Sequence, residues 1–145
     1  MRFDLISPYL ITICIAWFGA HVIKYIVKFI KKENRGFRSQ LFTSGGMPSS
    51  HSATVVSIMT IIGFRDGIDS GLFGLAAMLA LIVAYDAMKV RRSSGEQGVA
   101  IVELIKEQKS DVKIPCVAKG HTPLEVIFGS LLGLLIGSIV FFATK

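Results

Sequence analysis

Cysteine is scarce. Cys14 lies in an apolar stretch and Cys116 in a polar loop. The two are therefore expected to stay free thiols, and neither has the neighbouring ligand spacing that a metal site needs. Acidic residues are also few, ten against sixteen lysines and arginines, leaving a formal net charge of +6. That excess does not read as a nucleic-acid surface, because the basic residues flank apolar runs and no base-stacking aromatics are interleaved with them. Low-complexity tracts and internal repeats are missing, which leaves a single domain over residues 1–145.

Apolar residues are abundant. They make up 52% of the chain, with a mean hydropathy of +0.60, too high for an ordinary soluble domain of this size. The fold class expected is all-α, an integral membrane bundle of about four transmembrane helices. The four stretches run from Leu5 to Ile30, Pro48 to Phe64, Ile68 to Met88 and Pro123 to Ala143. The second is near the lower length limit for a span. The first begins like a secretory signal, but its apolar region is too long and no small-residue cleavage pattern follows it.

Charge then orients the bundle. Lys28, Lys31, Lys32, Arg35 and Arg38 lie between the first two stretches, and Lys89, Arg91, Arg92, Lys106, Lys109, Lys113 and Lys119 between the last two. Only Arg2, Arg65 and Lys145 remain for the other side. The positive-inside rule predicts both long loops in the cytoplasm and both termini outside, in a cell inner membrane. In the second loop Val99, Val102 and Ile105 recur at helical spacing, which predicts a short amphipathic helix on the cytoplasmic face or packed on the bundle. Gly129, Gly133 and Gly137 form a small-residue stripe that lets another helix approach closely. That partner can belong to the same chain or to a second copy, and the small core favours a homodimer.

Two polar runs stand at the cytoplasmic mouths of helices. The first, Gly45-Gly46-Met47-Pro48-Ser49-Ser50-His51-Ser52-Ala53, joins a flexible glycine pair to a helix start, whose free N–H groups and positive dipole end attract phosphate. The second is Gly120-His121-Thr122-Pro123-Leu124-Glu125. Two imidazoles on one membrane face permit double displacement, one attacking phosphorus and the other protonating the leaving alcohol. Glu125 can orient the nucleophile, or can simply close a capping box with Thr122. Arg91 and Arg92 suit a phosphoryl group, or serve as membrane anchors. Asp86 and Lys24 are ionisable groups within apolar helices and need a partner or a task. His21, one turn before Lys24, reads as a helix-packing histidine.

These runs, with Tyr85-Asp86-Ala87 and Val90-Arg91-Arg92, resemble the divergent branch of the type 2 phosphatidic acid phosphatase family, related to acid phosphatases and vanadium-dependent haloperoxidases. The resemblance covers nearly the whole chain. It implies a metal-independent phosphatase without cofactor, in which His121 is the nucleophile, Glu125 orients it and His51 is the general acid. It also implies that Gly46, Ser49, Ser50, Lys24, Lys31, Arg38, Arg91 or Arg92 contacts phosphate. Departures are plain: Ser50 replaces the family's glycine, Glu125 its aspartate and Pro115 its arginine. The lysine-arginine pair of the first motif is degenerate, matched in spacing by Lys31 with Arg38 or Lys28 with Arg35, while Lys24 is a third candidate. The expected activity is hydrolysis of a lipid or isoprenoid phosphate at the cytoplasmic face, with phosphatidylglycerol phosphate and phosphatidic acid as candidates. The rival is a non-catalytic transporter or anionic-lipid-binding protein. The partner expected is membrane lipid.

Overall fold

The computed structural model describes residues 7–30, 46–114, 117 and 120–145. Among these every regular element is helical: α1 (Pro8–Ile30), α2 (Ser50–Asp66), α3 (Gly71–Tyr85), a π-helical turn (Asp86–Val90), α4 (Arg91–Glu107) and α5 (Pro123–Ala143). Three continuous helical stretches are long and apolar enough to cross a membrane: Pro8–Ile30, Gly71–Glu107 and Pro123–Ala143. At 17 residues α2 is shorter, about 26 Å, and it packs against α1, α3 and α5. Three of its hydroxyls are satisfied by its own backbone. Thr54 donates to the Ser50 carbonyl (2.9 Å), Ser57 to Thr54 (2.8 Å) and Thr60 to Val56 (2.7 Å). A helix this rich in small polar residues can therefore sit inside the bundle without stranding donors.

Contacts at the two ends fix the directions. At one end the Tyr9 hydroxyl donates to Asp66 (2.7 Å), and the Arg65 guanidinium donates to the Thr144 carbonyl (2.7 Å). The start of α1 thus meets the ends of α2 and α5. At the other end the Ser49 N–H donates to the Glu125 carbonyl (3.1 Å), so α2 and α5 begin side by side. They run parallel, and α1 runs against them.

The glycine stripe meets a helix of the same chain. A Cβ at Gly129 would lie 2.5 Å from the Ser49 carbonyl oxygen, at Gly133 2.3 Å from that of Ala53, and at Gly137 2.6 Å from that of Ser57. Both helices contribute small residues four apart, so their backbones nearly touch along i±4 ridges. The stripe is spent inside the chain, against Ser49, Ala53 and Ser57.

The amphipathic segment holding Val99, Val102 and Ile105 is helical as expected, but it is no separate element. It continues α3 through the π-turn. Neither glycine nor proline interrupts Tyr85 to Arg92, so the helix absorbs the irregularity as one wide turn rather than breaking.

Candidate active site

The parallel seam brings two helix starts to one level. Ser49 caps α2: its hydroxyl accepts from the Ser52 N–H (3.4 Å) and from the Ser52 hydroxyl (3.0 Å). The first-turn amides of Ser50 and His51 have no carbonyl one turn back to bond. Thr122 caps α5 in a full capping box with Pro123 in the first turn. Here the Glu125 N–H donates to the Thr122 hydroxyl (3.4 Å), while Glu125 Oε2 accepts from the Thr122 N–H (3.1 Å).

That same oxygen accepts from His121 Nδ1 at 2.9 Å. Cap and orienting contact coexist on one carboxylate. Because a carboxylate only accepts, Nδ1 carries the hydrogen and Nε2 keeps its lone pair. The ring is 5% exposed, and the backbone behind it is tied by the His121 N–H to the Ala87 carbonyl of the π-turn (3.0 Å). Burial pushes the His121 imidazole below its ordinary range, and the Glu125 bond pulls it only part of the way back.

His51 is exposed on the first turn of α2. The charges of Arg91, His121, Lys24 and His21 all bear on it, and those of Lys24 and Arg91 also bear on His121. Lys24 is 5% exposed on α1, with Lys28 and Glu125 as its charged neighbours. Gly46 has φ +94°, a region that favours glycine, and a Cβ there would meet Lys28 Cε at 3.2 Å. Lys24 and Lys28 therefore lie along the loop that leads into α2.

The two arginines part company. Arg91 Nε bonds Asp86 five residues back, a spacing that the π-turn stacks on one face. Arg92 pairs with Glu96 at 3.1 Å along the exposed side of α4, and its backbone is covered by Gly120, where a Cβ would lie 2.4 Å from Arg92 N. Among the described residues no group of three or more His, Cys, Asp or Glu could hold a metal ion.

A family model described as "Divergent PAP2 family" matches residues 5–136. The chain belongs to the divergent PAP2 family. It is a membrane protein, as its apolar helices indicate. It is 36% identical to the "Uncharacterized membrane protein YuiD" of Bacillus subtilis (strain 168), over 81% of this chain and 83% of that one. No solved structure matches it.

In this divergent PAP2 chain the sequence-predicted residues sort into three groups. His121, Glu125, His51, Lys24 and Arg91 converge at one end of the bundle, with Asp86 holding Arg91 and Gly46 beside them. Ser49 and Arg92 take structural work instead. Ser49 is fully buried with its hydroxyl in the cap, and Arg92 turns to Glu96. Ser50, the first residue of α2, is 4% exposed. Lys31 and Arg38 lie outside the described residues, as does Cys116. The structure puts Lys28, one of the sequence candidates for the first-motif lysine, beside Gly46, and adds His21, whose charge bears on His51. His21 Nδ1 bonds the Trp17 carbonyl (2.8 Å), and its ring lies tilted against that of Trp17 at 4.3 Å between centroids. A signal existed: His21, Lys24 and Lys28 recur at i, i+3 and i+7, a polar stripe on an otherwise apolar helix.

Proposed function

We propose that this protein is a membrane phosphatase that hydrolyses a lipid or isoprenoid phosphate monoester through a phosphohistidine. The observation that carries the reading is the 2.9 Å bond from His121 Nδ1 to Glu125, made beside a second histidine and two buried or oriented cations. A histidine held this way has one role open to its other nitrogen. His121 Nε2 attacks phosphorus; the bond from phosphorus to the ester oxygen breaks, and that oxygen takes a proton from His51 and leaves as the alcohol. Water then attacks the phosphohistidine, gives a proton to His51, and releases inorganic phosphate. Lys24 and Arg91 offset charge on the phosphoryl oxygens, together with the amides at the start of α2. Asp86 acts through Arg91 and fixes its direction.

The reading extends to orientation: the site faces the cytoplasm of an inner membrane and both termini lie outside, because the basic loops adjoin the site end. That leaflet favours phosphatidylglycerol phosphate or phosphatidic acid as substrate. The test uses purified protein in detergent micelles with these two lipids and an isoprenoid phosphate, with chelator and without added metal. Phosphate release is expected, and His51→Ala or His121→Ala should lower it on the order of 100- to 10,000-fold. Release from no substrate, or undiminished release by both variants, would sink the mechanism and leave a transporter or lipid-binding role.

A further inference from the structure

Between α1 and α5, on the outside of the bundle, lies a groove of about 320 Å³. Ile23 and Val27 form one wall and Leu131 and Leu135 the other, and at the end towards the site Met47 and Pro48 complete it. We infer that this groove holds one alkyl chain of the phosphorylated lipid whose headgroup lies at His51 and His121; the inference rests on the phosphatase reading for the identity of that headgroup.

Three continuities with the site argue for this occupant. Pro48 lines the groove and is followed directly by Ser49, the cap of the phosphate-facing helix. Ile23 and Val27 flank Lys24, whose charge lies within reach of Glu125. Phe128, also on the groove, is three residues beyond Glu125 and therefore one turn deeper on the same helix. The helices that supply Lys24 and Glu125, and the loop that leads to His51, thus also supply the apolar wall just beneath them.

Direction and chemistry agree. From Phe128 to Leu135 the groove follows α5 for roughly 10 Å into the bilayer, while the charged end stays at the membrane boundary. A phosphorylated lipid has the same order, phosphate outermost and hydrocarbon inward. The eight lining side chains are all uncharged and apolar, so a second phosphate or a sugar would find nothing to bond, whereas an alkyl chain meets only matching surface. Leu131 and Leu135 are more than half exposed, which keeps the groove open sideways for a chain arriving from the bilayer.

Two measurements test the inference. The first compares kcat/KM for a long-chain and a short-chain water-soluble phosphate monoester in wild type, Leu131→Trp and Leu135→Trp, with Leu134→Trp placing the same bulk outside the groove. The long-to-short ratio should fall about tenfold in the two groove variants and hold in the control. An unchanged ratio in the groove variants would overturn the inference. The second needs no turnover. Full-length His121→Ala protein in vesicles is exposed to phosphatidic acid bearing a photoactivatable group in one chain, and separately to phosphatidylcholine bearing the same group. Labelling of the Val27 and Leu131 region by phosphatidic acid in excess of phosphatidylcholine is expected. Equal labelling means that bulk lipid fills the groove and refutes it. Preferential labelling by a protein whose wild type releases no phosphate would leave the groove standing and overturn the catalytic reading alone.

Discussion

Gly129→Ala tests whether the seam between α2 and α5 sets the site. A Cβ at this position would lie 2.5 Å from the Ser49 carbonyl oxygen, where ordinary contact begins at 3.4 Å, so the helices must part locally by about 0.9 Å. Nothing flexible can yield, since the opposing atoms are backbone and the buried Ser49 Cβ. The 3.1 Å bond from the Ser49 N–H to the Glu125 carbonyl crosses the same joint, and that opening takes it out of hydrogen-bond range. Overpacking of this kind costs about 1–3 kcal/mol. A misplacement of roughly 1 Å between reacting groups costs on the order of 100-fold in rate. Gly137→Ala is the matched comparison: its Cβ would meet the Ser57 carbonyl oxygen at 2.6 Å, but about 12 Å further along α5. Melting temperature in detergent and phosphate release from a lipid phosphate are measured for both. Similar losses of stability are expected, with the hundredfold loss of rate confined to Gly129→Ala. Equal rate losses, or a Gly129→Ala protein that turns over like wild type, would refute the claim that this seam aligns the histidines.

Other outcomes follow from the same geometry. Gly120→Ala puts a Cβ 2.4 Å from Arg92 N, displacing the backbone that the Ala87 carbonyl holds; a rate loss of at least about tenfold is expected, with helix content by circular dichroism unchanged. Arg91→Ala should slow phosphate release roughly 100-fold, as loss of a charge-stabilising donor does, whereas Arg92→Ala, whose exposed pair with Glu96 has little energetic weight, should change it less than about threefold. For pH, the nucleophile must be neutral and the acid protonated, so kcat/KM is bell-shaped: it rises with pH through a His121 value that burial holds below the ordinary 6.5 or so, and falls again as His51 loses its proton. Glu125→Gln removes a carboxylate that favours the imidazolium, so the maximum rate falls while the rising limb moves to lower pH. Stability has the corresponding sign: below about pH 6.5 the unfolded chain protonates this histidine before the folded one does, so His121 makes the melting temperature drop as pH falls, and His121→Asn should flatten that slope.

Much of this was legible in the sequence, for identifiable reasons. The long apolar runs announced α1, α3 and α5, and Thr122-Pro123-Leu124-Glu125 announced its own cap. The stripe Gly129, Gly133, Gly137 announced a close approach but not its partner. The complementary face is Ser49, Ala53 and Ser57, and serines in a phosphate-like motif draw attention as ligands rather than as small surfaces. The π-turn left no trace at all. It inserts an irregularity into an uninterrupted helical run, and only coordinates reveal that residues five apart, Asp86 and Arg91, are stacked. Arg92 looked equivalent to Arg91 for the same reason, although the helix turns it to the other side.

The electrostatics of two parallel helix starts explain why an anion belongs between them. Adjacent parallel helices set their positive dipole ends side by side, an arrangement that repels until negative charge arrives. At α5 the chain supplies that charge itself, since Glu125 stands in the first turn. At α2 it does not: the first turn has no acidic residue, and Lys24, Lys28 and Arg91 add positive charge around it. The glycine seam holds the helices together against this repulsion, through packing that does not depend on charge. On the proposed reading the phosphate dianion completes the balance, so binding the substrate relieves a repulsion the fold maintains. Glu125 is tied to the α5 start, where its Oε2 accepts from His121 and from the Thr122 N–H. On the proposed reading the site therefore takes an anion at the α2 start and holds a neutral nucleophile at the α5 start, which is the asymmetry that phosphoryl transfer to His121 requires.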